Sequence, residues 1–207
     1  MNNTFFNGPS STVDNTVQYL ATNEGASGAM AGARRLVTGI ALTNGSLRIF
    51  ESVNNGPWAS LTQAQPTVGV AAMRSAYAGA TAVVCMTHDV SGNRTLSCLT
   101  RTATDWSSYP DVAQSVPSDG FDVVSRGSTV WVAYSVAGQV RVKMIDLAAA
   151  APGFSIVSGP SGGSSWNNSP SCTATRPEMS ARADGLWVTW QELCSANNWE
   201  VRLSKMY

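Results

Sequence analysis

Residues 130–145 read VWVAYSVAGQVRVKMI, two runs of alternating apolar and polar residues joined by Ala137-Gly138. Alternation over five or more residues is typical of a half-buried strand, because successive side chains point to opposite faces of a sheet. A short turn that contains glycine can adopt the positive φ angles of a tight hairpin. The stretch therefore predicts a β-hairpin, and we use it as the template for the rest of the chain.

The same pattern recurs three more times in the 207 residues. The predicted hairpins pair 36–42 with 47–51 across Asn44-Gly45, 82–86 with 96–99 across 91–93, and 186–190 with 200–204 across 194–198. A further short run precedes each hairpin, at 70–75, 121–126 and 178–182, and in the first unit at 17–21 followed by a Gly/Ala-rich insertion over 24–33. Three hairpins are also followed by a run, at 58–61, 106–109 and 154–157. Four such units, three with four strands and the last with three, account for most of the chain.

Four strands in a repeat of roughly 45 to 55 residues resemble a β-propeller. The resemblance implies an all-β, four-bladed β-propeller with four antiparallel strands per blade. It implies one domain over 1–207, with blades at about 14–62, 66–112, 117–160 and 175–207. The last unit lacks an outer strand, so we expect the N-terminal segment 3–9 to supply it, which would close the ring and remove an exposed edge. A β-sandwich of similar strand count is the alternative.

One turn adds a more specific resemblance. Ser52-Val53-Asn54-Asn55-Gly56-Pro57-Trp58 is similar to the Asp-box turn of sialidase-type (BNR-like) repeats, Ser-x-Asp-x-Gly-x-x-Trp. Asn54 replaces the aspartate, and one residue is missing before Trp58, so the repeat is degenerate. In that family the turn is structural and lies away from the active site. The resemblance therefore implies a blade-like hairpin and no catalytic residue.

Composition narrows the classes of partner. Charged residues make up only 13% of the chain, about half the usual share, and the formal net charge is zero. This argues against nucleic-acid binding, which needs a basic surface to neutralise phosphates. No apolar run reaches the roughly 18 residues of a membrane-spanning helix. Surface polarity supplied by Ser, Thr, Asn, Gln and Gly is typical of extracellular or cell-surface β-proteins.

The four cysteines indicate the compartment. They allow three disulfide connectivities, of which Cys85–Cys98 and Cys172–Cys194 keep each pair within one predicted blade. Disulfides need an oxidising compartment, so this pairing implies export, and free buried thiols in a cytosolic protein are the alternative. The first residues, Met1-Asn2-Asn3-Thr4, lack the basic start and apolar stretch of a signal peptide, so the sequence does not indicate the export route.

The sequence offers no convincing catalytic or metal centre. His88 is the only histidine, and there is no Cys-x-x-Cys, so we predict no metal and no cofactor. His88-Asp89 is adjacent in sequence, whereas a Ser-His-Asp triad must converge in space. Glycoside hydrolysis needs two paired carboxylates, and no spacing selects two from the candidates Glu51, Asp89, Asp122, Glu178, Asp184, Glu192 and Glu200. We therefore expect the protein not to be an enzyme.

Tryptophan and asparagine give the best candidates for a ligand site. Trp131, Trp187 and Trp190 lie inside strand patterns and are predicted to belong to the core, with an exposed position as the alternative for Trp190. Two other tryptophans lie beside asparagines. An aromatic ring can stack on the C–H face of a sugar while amides bond to its hydroxyls. The candidate ligand-binding residues are Trp166, Asn167, Asn168, Asn197, Asn198 and Trp199. The alternative is that these aromatics cover a loop next to a disulfide.

These patterns favour an exported, non-catalytic recognition module of lectin-like type, whose partner is a glycan or another protein at a surface. The first alternative is a structural or decorating subunit of a surface appendage, filament or virion, which would form homo-oligomers. The second is a degenerate glycosidase-like enzyme.

Overall fold

The described residues form four antiparallel sheets, each built from strands that follow one another along the chain. The structure is a computed structural model that describes residues 17–18, 26–41, 45–61, 69–102, 105–118, 120–195 and 198–206. The first sheet contains β1 (Val17–Gln18), β2 (Ala26–Ala31), β3 (Arg34–Ala41), β4 (Leu47–Val53) and β5 (Ala59–Ser60). The second contains β6 (Val70–Ala78), β7 (Thr81–Val90), β8 (Asn93–Arg101) and β9 (Trp106–Gln114). The third contains β10 (Phe121–Arg126), β11 (Thr129–Val136), β12 (Gln139–Asp146) and β13 (Ser155–Val157), and the fourth β14 (Thr173–Arg182), β15 (Gly185–Ser195) and β16 (Asn198–Met206).

The hairpin predicted from residues 130–145 is formed by β11 and β12, which pair from Thr129 with Asp146 to Val136 with Gln139. Its turn residues, Ala137 and Gly138, have φ values of 49° and 73°. Two consecutive positive φ angles are the mark of a turn whose twist matches that of the flanking strands. The alternating pattern and the turn residues therefore predicted this hairpin correctly.

The sheets pack face to face in chain order. One apolar cluster, which includes Leu36 and Met73, lies between the first and second sheets. A second cluster joins the second and third sheets, and a third joins the third and fourth. The innermost strands β2, β6, β10 and β14 lie side by side in that order. This arrangement confirms the predicted all-β propeller class, since a sandwich would have two layers rather than four successive sheets.

The first sheet contains a strand beyond those predicted. Val17–Gln18, the described part of the predicted run 17–21, forms β1 and pairs with the end of β3, and residues 19–21 lie outside the described residues. Most of β3 pairs instead with β2, which lies inside the predicted Gly/Ala-rich insertion. Glycine and alanine are depleted in strands, so composition concealed this one. Small side chains suit its position, because β2 packs closely beside β6 of the second sheet.

The fourth sheet contains three strands in the part of the chain that the structure describes. The segment 3–9, predicted to complete this sheet and close the ring, lies outside the described residues. Within the described ranges, no apolar cluster joins the fourth sheet to the first. On β16 of this sheet, Trp199, Val201 and Leu203 are 51%, 79% and 59% exposed.

Both predicted disulfide pairs are present. Cys85 and Cys98 lie opposite each other on β7 and β8, and Cys172, just before β14, is joined to Cys194 near the end of β15. The second bridge anchors the loop that leads into the fourth sheet. No helix among the described residues has the length and hydropathy needed to cross a membrane.

Candidate functional site

Trp166 and Asn167 are internal packing residues. Trp166 is only 2% exposed, and its indole N–H donates a hydrogen bond to the carbonyl oxygen of Val157 at 3.3 Å. The amide of Asn167 is fully engaged: Oδ1 accepts from the Val140 N–H, and Nδ2 donates to two backbone carbonyls, each at 2.9 Å. Neither side chain presents a surface to a ligand in this conformation. A ligand site must therefore be formed by other residues, whose side chains are exposed.

The other predicted site residues lie apart from Trp166. Trp166 packs between the third and fourth sheets, whereas Trp199 lies on the opposite face of the fourth sheet and is 51% exposed. Asn198 is exposed next to it, and Asn197 lies outside the described residues. Asn168 is exposed, and its backbone N–H donates to the buried carboxylate of Glu192 at 2.8 Å. The structure therefore does not bring Trp166 and Trp199 into one site.

Strand register defines the open side of the fourth sheet, which we call the outward face. Thr189 pairs with Leu203, Gln191 with Val201 and Leu193 with Trp199, and paired residues share a face. The outward face is formed by Glu178, Ser180 and Arg182 of β14, Trp187, Thr189, Gln191 and Leu193 of β15, and Trp199, Val201, Leu203 and Lys205 of β16. The alternate residues of β15, such as Val188 and Trp190, are buried against the third sheet. The outward face is thus the solvent side of a sheet whose other side is core.

A cleft of about 340 Å³ opens on this face, which is within the usual size range of small-molecule sites. Its lining consists of Glu178, Met179, Ser180, Arg182, Trp187, Thr189 and Leu203. The cleft therefore combines an aromatic ring and apolar side chains with a carboxylate, a guanidinium and two hydroxyls.

Trp187 is held in place from one side. Its indole N–H donates to Asp184 Oδ1 at 3.3 Å, and the Lys205 ammonium lies 4.9 Å from the ring centroid. Lys205 Nζ also pairs with Asp184 Oδ2 at 2.9 Å. The hydrogen bonds from Lys205 and Trp187 lower the pKa of Asp184, so this carboxylate remains charged and keeps both partners in position.

Glu178 and Arg182 are the charged groups of the cleft. Both are exposed, and they flank Ser180 on the same side of β14. Arg182 Nε donates one long hydrogen bond, at 3.4 Å, to Ser180 Oγ, and among the described residues the Glu178 carboxylate has no partner. A carboxylate can only accept hydrogen bonds and a guanidinium can only donate them. The two groups together can satisfy both kinds of bond from a polyhydroxylated ligand.

Asp122 lies next to this cleft but has a structural role. Its Oδ1 accepts from the Val123 N–H at 2.8 Å, and its Oδ2 accepts from the Met179 N–H at 2.7 Å. Asp122 thereby joins β10 to β14, and Arg74 Nε lies 3.9 Å from its Oδ1. Burial raises the pKa of Asp122, and the negative charge of Glu178 raises it further. Asp122 and Glu178 are therefore close enough to interact, but the Asp122 oxygens are already engaged.

The histidine does not belong to a triad built from neighbours in sequence. His88 Nε2 lies 2.8 Å from Ser97 Oγ, whereas Asp89 accepts a hydrogen bond from Arg94 Nε at 2.7 Å. Asp89 is thus committed to a surface ion pair.

Comparison with known proteins identifies the fold and no family. No protein-family model matches the chain, and no curated protein sequence matches it. The GH43B protein of a Bacteroides ovatus xyloglucan PUL superposes with a TM-score of 0.50 at 12% identity, over 88% of this chain and 38% of that one. A GH130 structure, from work on glycoside hydrolases that target β-1,2 mannosidic linkages in Candida mannan, gives 0.50 at 9% identity, over 88% and 66%. A prolyl endopeptidase gives 0.53 at 12% identity, over 87% and 26%.

The chain thus spans 26% to 66% of the length of these three structures. At such identities the likeness carries the architecture and no activity. The chain shares the β-propeller fold with these proteins.

Proposed function

We propose that this protein is a non-catalytic, extracellular recognition module of lectin-like type that binds carbohydrate in the cleft of the outward face. The observation that carries the proposal is the position of Trp187 in one cleft with Glu178, Arg182 and Thr189. A sugar presents apolar C–H groups on the faces of its ring and hydroxyls around its edge. An indole packs against the apolar face, and the carboxylate, guanidinium and hydroxyl bond to the edge.

The composition of the outward face supports a ligand that carries its own polar groups. On β15 the buried side presents Leu186, Val188 and Trp190, whereas the outward side presents Thr189 and Gln191 between Trp187 and Leu193. Burying the charges of Glu178 and Arg182 without partners under another sheet would be unfavourable. A polyhydroxylated ligand can supply those partners and leaves the rim of the site in contact with water.

The arrangement of carboxylates supports a binding role rather than hydrolysis. Both glycosidase mechanisms need one carboxyl group as acid and a second as base or nucleophile. Glu178 is available in the cleft, but the nearby Asp122 is engaged by the Val123 and Met179 backbone N–H groups. We expect no release of fluorophore from a panel of fluorogenic glycosides. Turnover that is lost in Glu178→Gln would identify an enzyme instead.

Two disulfides support an extracellular location, because such bonds persist in oxidising compartments. The outward face also has a feature that favours the alternative role as an assembly subunit. Val201 and Leu203 are 79% and 59% exposed, and exposed apolar residues often mark protein interfaces. Sedimentation velocity tests this alternative: a concentration-dependent oligomer that Leu203→Asp dissociates would support it.

A glycan array that includes linear xylo-, manno- and gluco-oligosaccharides tests the proposed function. We expect a defined subset of glycans to bind, and we expect Trp187→Ala and Glu178→Gln each to abolish or strongly weaken the signal. Trp58→Ala is the matched control, because it removes the same side chain near the outer edge of the first sheet. No glycan signal, or a signal that these two substitutions leave unchanged, would refute the proposal.

A further inference from the structure

We infer that the ligand is a linear, neutral oligosaccharide that extends along the outward face from Trp187 to Trp199, beyond the cleft itself. This inference rests on the proposed function and adds to it the length, shape and charge of the ligand. It also gives Trp199 and the apolar side chains between the two indoles a role that the cleft alone does not explain.

The two tryptophans lie on one face and at a definite spacing. Trp199 is paired with Leu193, which lies six residues after Trp187 on the same strand. At about 3.3 Å per residue this separation is roughly 20 Å, which is longer than a single sugar ring or a disaccharide. A ligand that contacts both indoles must therefore be an extended chain.

The surface between the tryptophans is a strip in which an apolar row lies beside a polar row. On β16, Val201 and Leu203 present exposed apolar side chains, and on β15 their partners Gln191 and Thr189 present polar ones. A linear sugar chain has both characters side by side, because each of its rings has an apolar C–H face and an edge that carries hydroxyls. The strip offers packing for the first and hydrogen bonds for the second.

The charges along this path indicate a neutral ligand. Glu178 and Arg182 contribute opposite charges, and Lys205 is paired with Asp184. Near Trp199, Arg202 pairs with Glu192 and Glu200, and strand register places all three on the other face of the sheet, so they add no charge to the path of the ligand. No excess of positive charge is present on the described residues of this face to hold a uronic or sulfated chain. Neutral glycans match the face best.

Calorimetric titration with a length series, from disaccharide to hexasaccharide of the glycan class that binds on the array, tests the inference. We expect affinity to rise with length. Each stacking contact of an aromatic ring is worth about 0.5–1.5 kcal/mol, so Trp199→Ala should weaken hexasaccharide binding roughly 2- to 13-fold. The same variant should leave disaccharide binding unchanged, whereas Trp187→Ala should weaken both ligands.

Ile156→Ala, an exposed apolar residue on β13 of the third sheet, is the control and should behave as the wild type throughout. Equal affinity for disaccharide and hexasaccharide, or a Trp199→Ala loss that is the same for both, would overturn the inference and leave the proposed function intact. Absence of binding at every length would overturn the proposed function itself. Loss of self-association in Trp199→Ala, without any effect on glycan binding, would assign the strip to a protein partner and refute the inference. Circular dichroism and thermal unfolding confirm that each variant is folded.

Discussion

Replacing Glu51 by glutamine should loosen the contact between the first two sheets. Glu51 lies on β4 with only 8% of its side chain exposed, and its carboxylate is the centre of a charged network. Oε1 accepts hydrogen bonds from Arg34 Nε at 2.8 Å and from the Tyr77 hydroxyl at 2.7 Å. Oε2 accepts from Arg101 Nη1 at 3.4 Å. Tyr77 and Arg101 belong to the second sheet, so the network joins the two sheets.

The expected loss follows from the change in charge. Glutamine keeps one carbonyl oxygen for Arg34 and Tyr77, but these two bonds lose their ionic contribution, about 1 kcal/mol each. Its amide group then faces Arg101, which adds up to about 1 kcal/mol for an unfavourable contact. The side chains of Arg34 and Arg101 are 24% and 17% exposed, so water compensates part of this loss. We expect Glu51→Gln to lower the free energy of unfolding by about 2 kcal/mol, below the range of about 3–5 kcal/mol for a fully buried pair.

Urea unfolding followed by circular dichroism measures this difference, with Asp89→Asn as the matched control. Asp89 also pairs with an arginine at 2.7 Å, but its side chain is 52% exposed. A surface pair contributes about 0–1 kcal/mol, so the control should change stability by about 0.5 kcal/mol at most. Hydrogen exchange should become faster in β3 and β4 of Glu51→Gln. Equal losses in the two variants, or a loss below about 0.5 kcal/mol in Glu51→Gln, would refute the argument.

Three further predictions concern stability. Burial, together with the hydrogen bond to Glu51, raises the pKa of Tyr77 well above its usual value. The stability that this hydroxyl contributes is therefore complete below about pH 10 and is lost as the pH rises further. In urea unfolding curves at increasing alkaline pH, the wild type should lose more stability than Tyr77→Phe. Gly159→Ala should destabilise the protein by about 2 kcal/mol or more in thermal unfolding, because the added Cβ would lie 2.2 Å from the Ser165 carbonyl oxygen. Gly163→Ala is the control and should be neutral, because the space around Gly163 is open. Removing the Cys172–Cys194 bridge by double alanine substitution should cost about 3 kcal/mol in urea unfolding. A loss near zero would show that the hydrogen bonds of Trp166, Asn167 and Asn168 are sufficient to hold the loop.

Local signals in the sequence were sufficient for most of the fold. Alternation and the turn at Ala137-Gly138 specified the hairpin of β11 and β12, and the proximity of each cysteine pair within one unit favoured the disulfides that the structure contains. The strand β2 was not predicted, because its residues are small and carry no alternation. β2 is positioned by packing against β6, which is distant in the sequence. A contact of this kind cannot be recognised from the residues of β2 alone.

The cleft could not be found from the sequence for a related reason. Trp187 and Trp190 both lie in the pattern of β15 and were both predicted to be core, with exposure as the alternative for Trp190 alone. A separation of three positions on a strand places them on opposite faces. Trp190 is buried against the third sheet, and Trp187 faces the cleft. Alternation in the sequence assigns residues to the two faces of a strand, but it does not indicate which face packs against another sheet. One signal in the sequence did indicate the exposed face. Glu178, Ser180 and Arg182 are polar and alternate along β14, so the side of this strand that carries them is poorly suited to a core.

That polar series explains why the outward face of the fourth sheet is the best place for a ligand. The second and third sheets are each packed on both sides by neighbouring sheets, so their faces must be apolar and filled. In the described chain the fourth sheet packs through one face only, and its other face is free to carry charges and half-exposed aromatics. A substitution such as Ser180→Leu would make this face resemble a packed blade, with little cost to the fold and loss of the space for a sugar. A substitution on the outward face should therefore change ligand binding without changing stability. A substitution on a face packed between two sheets would change both.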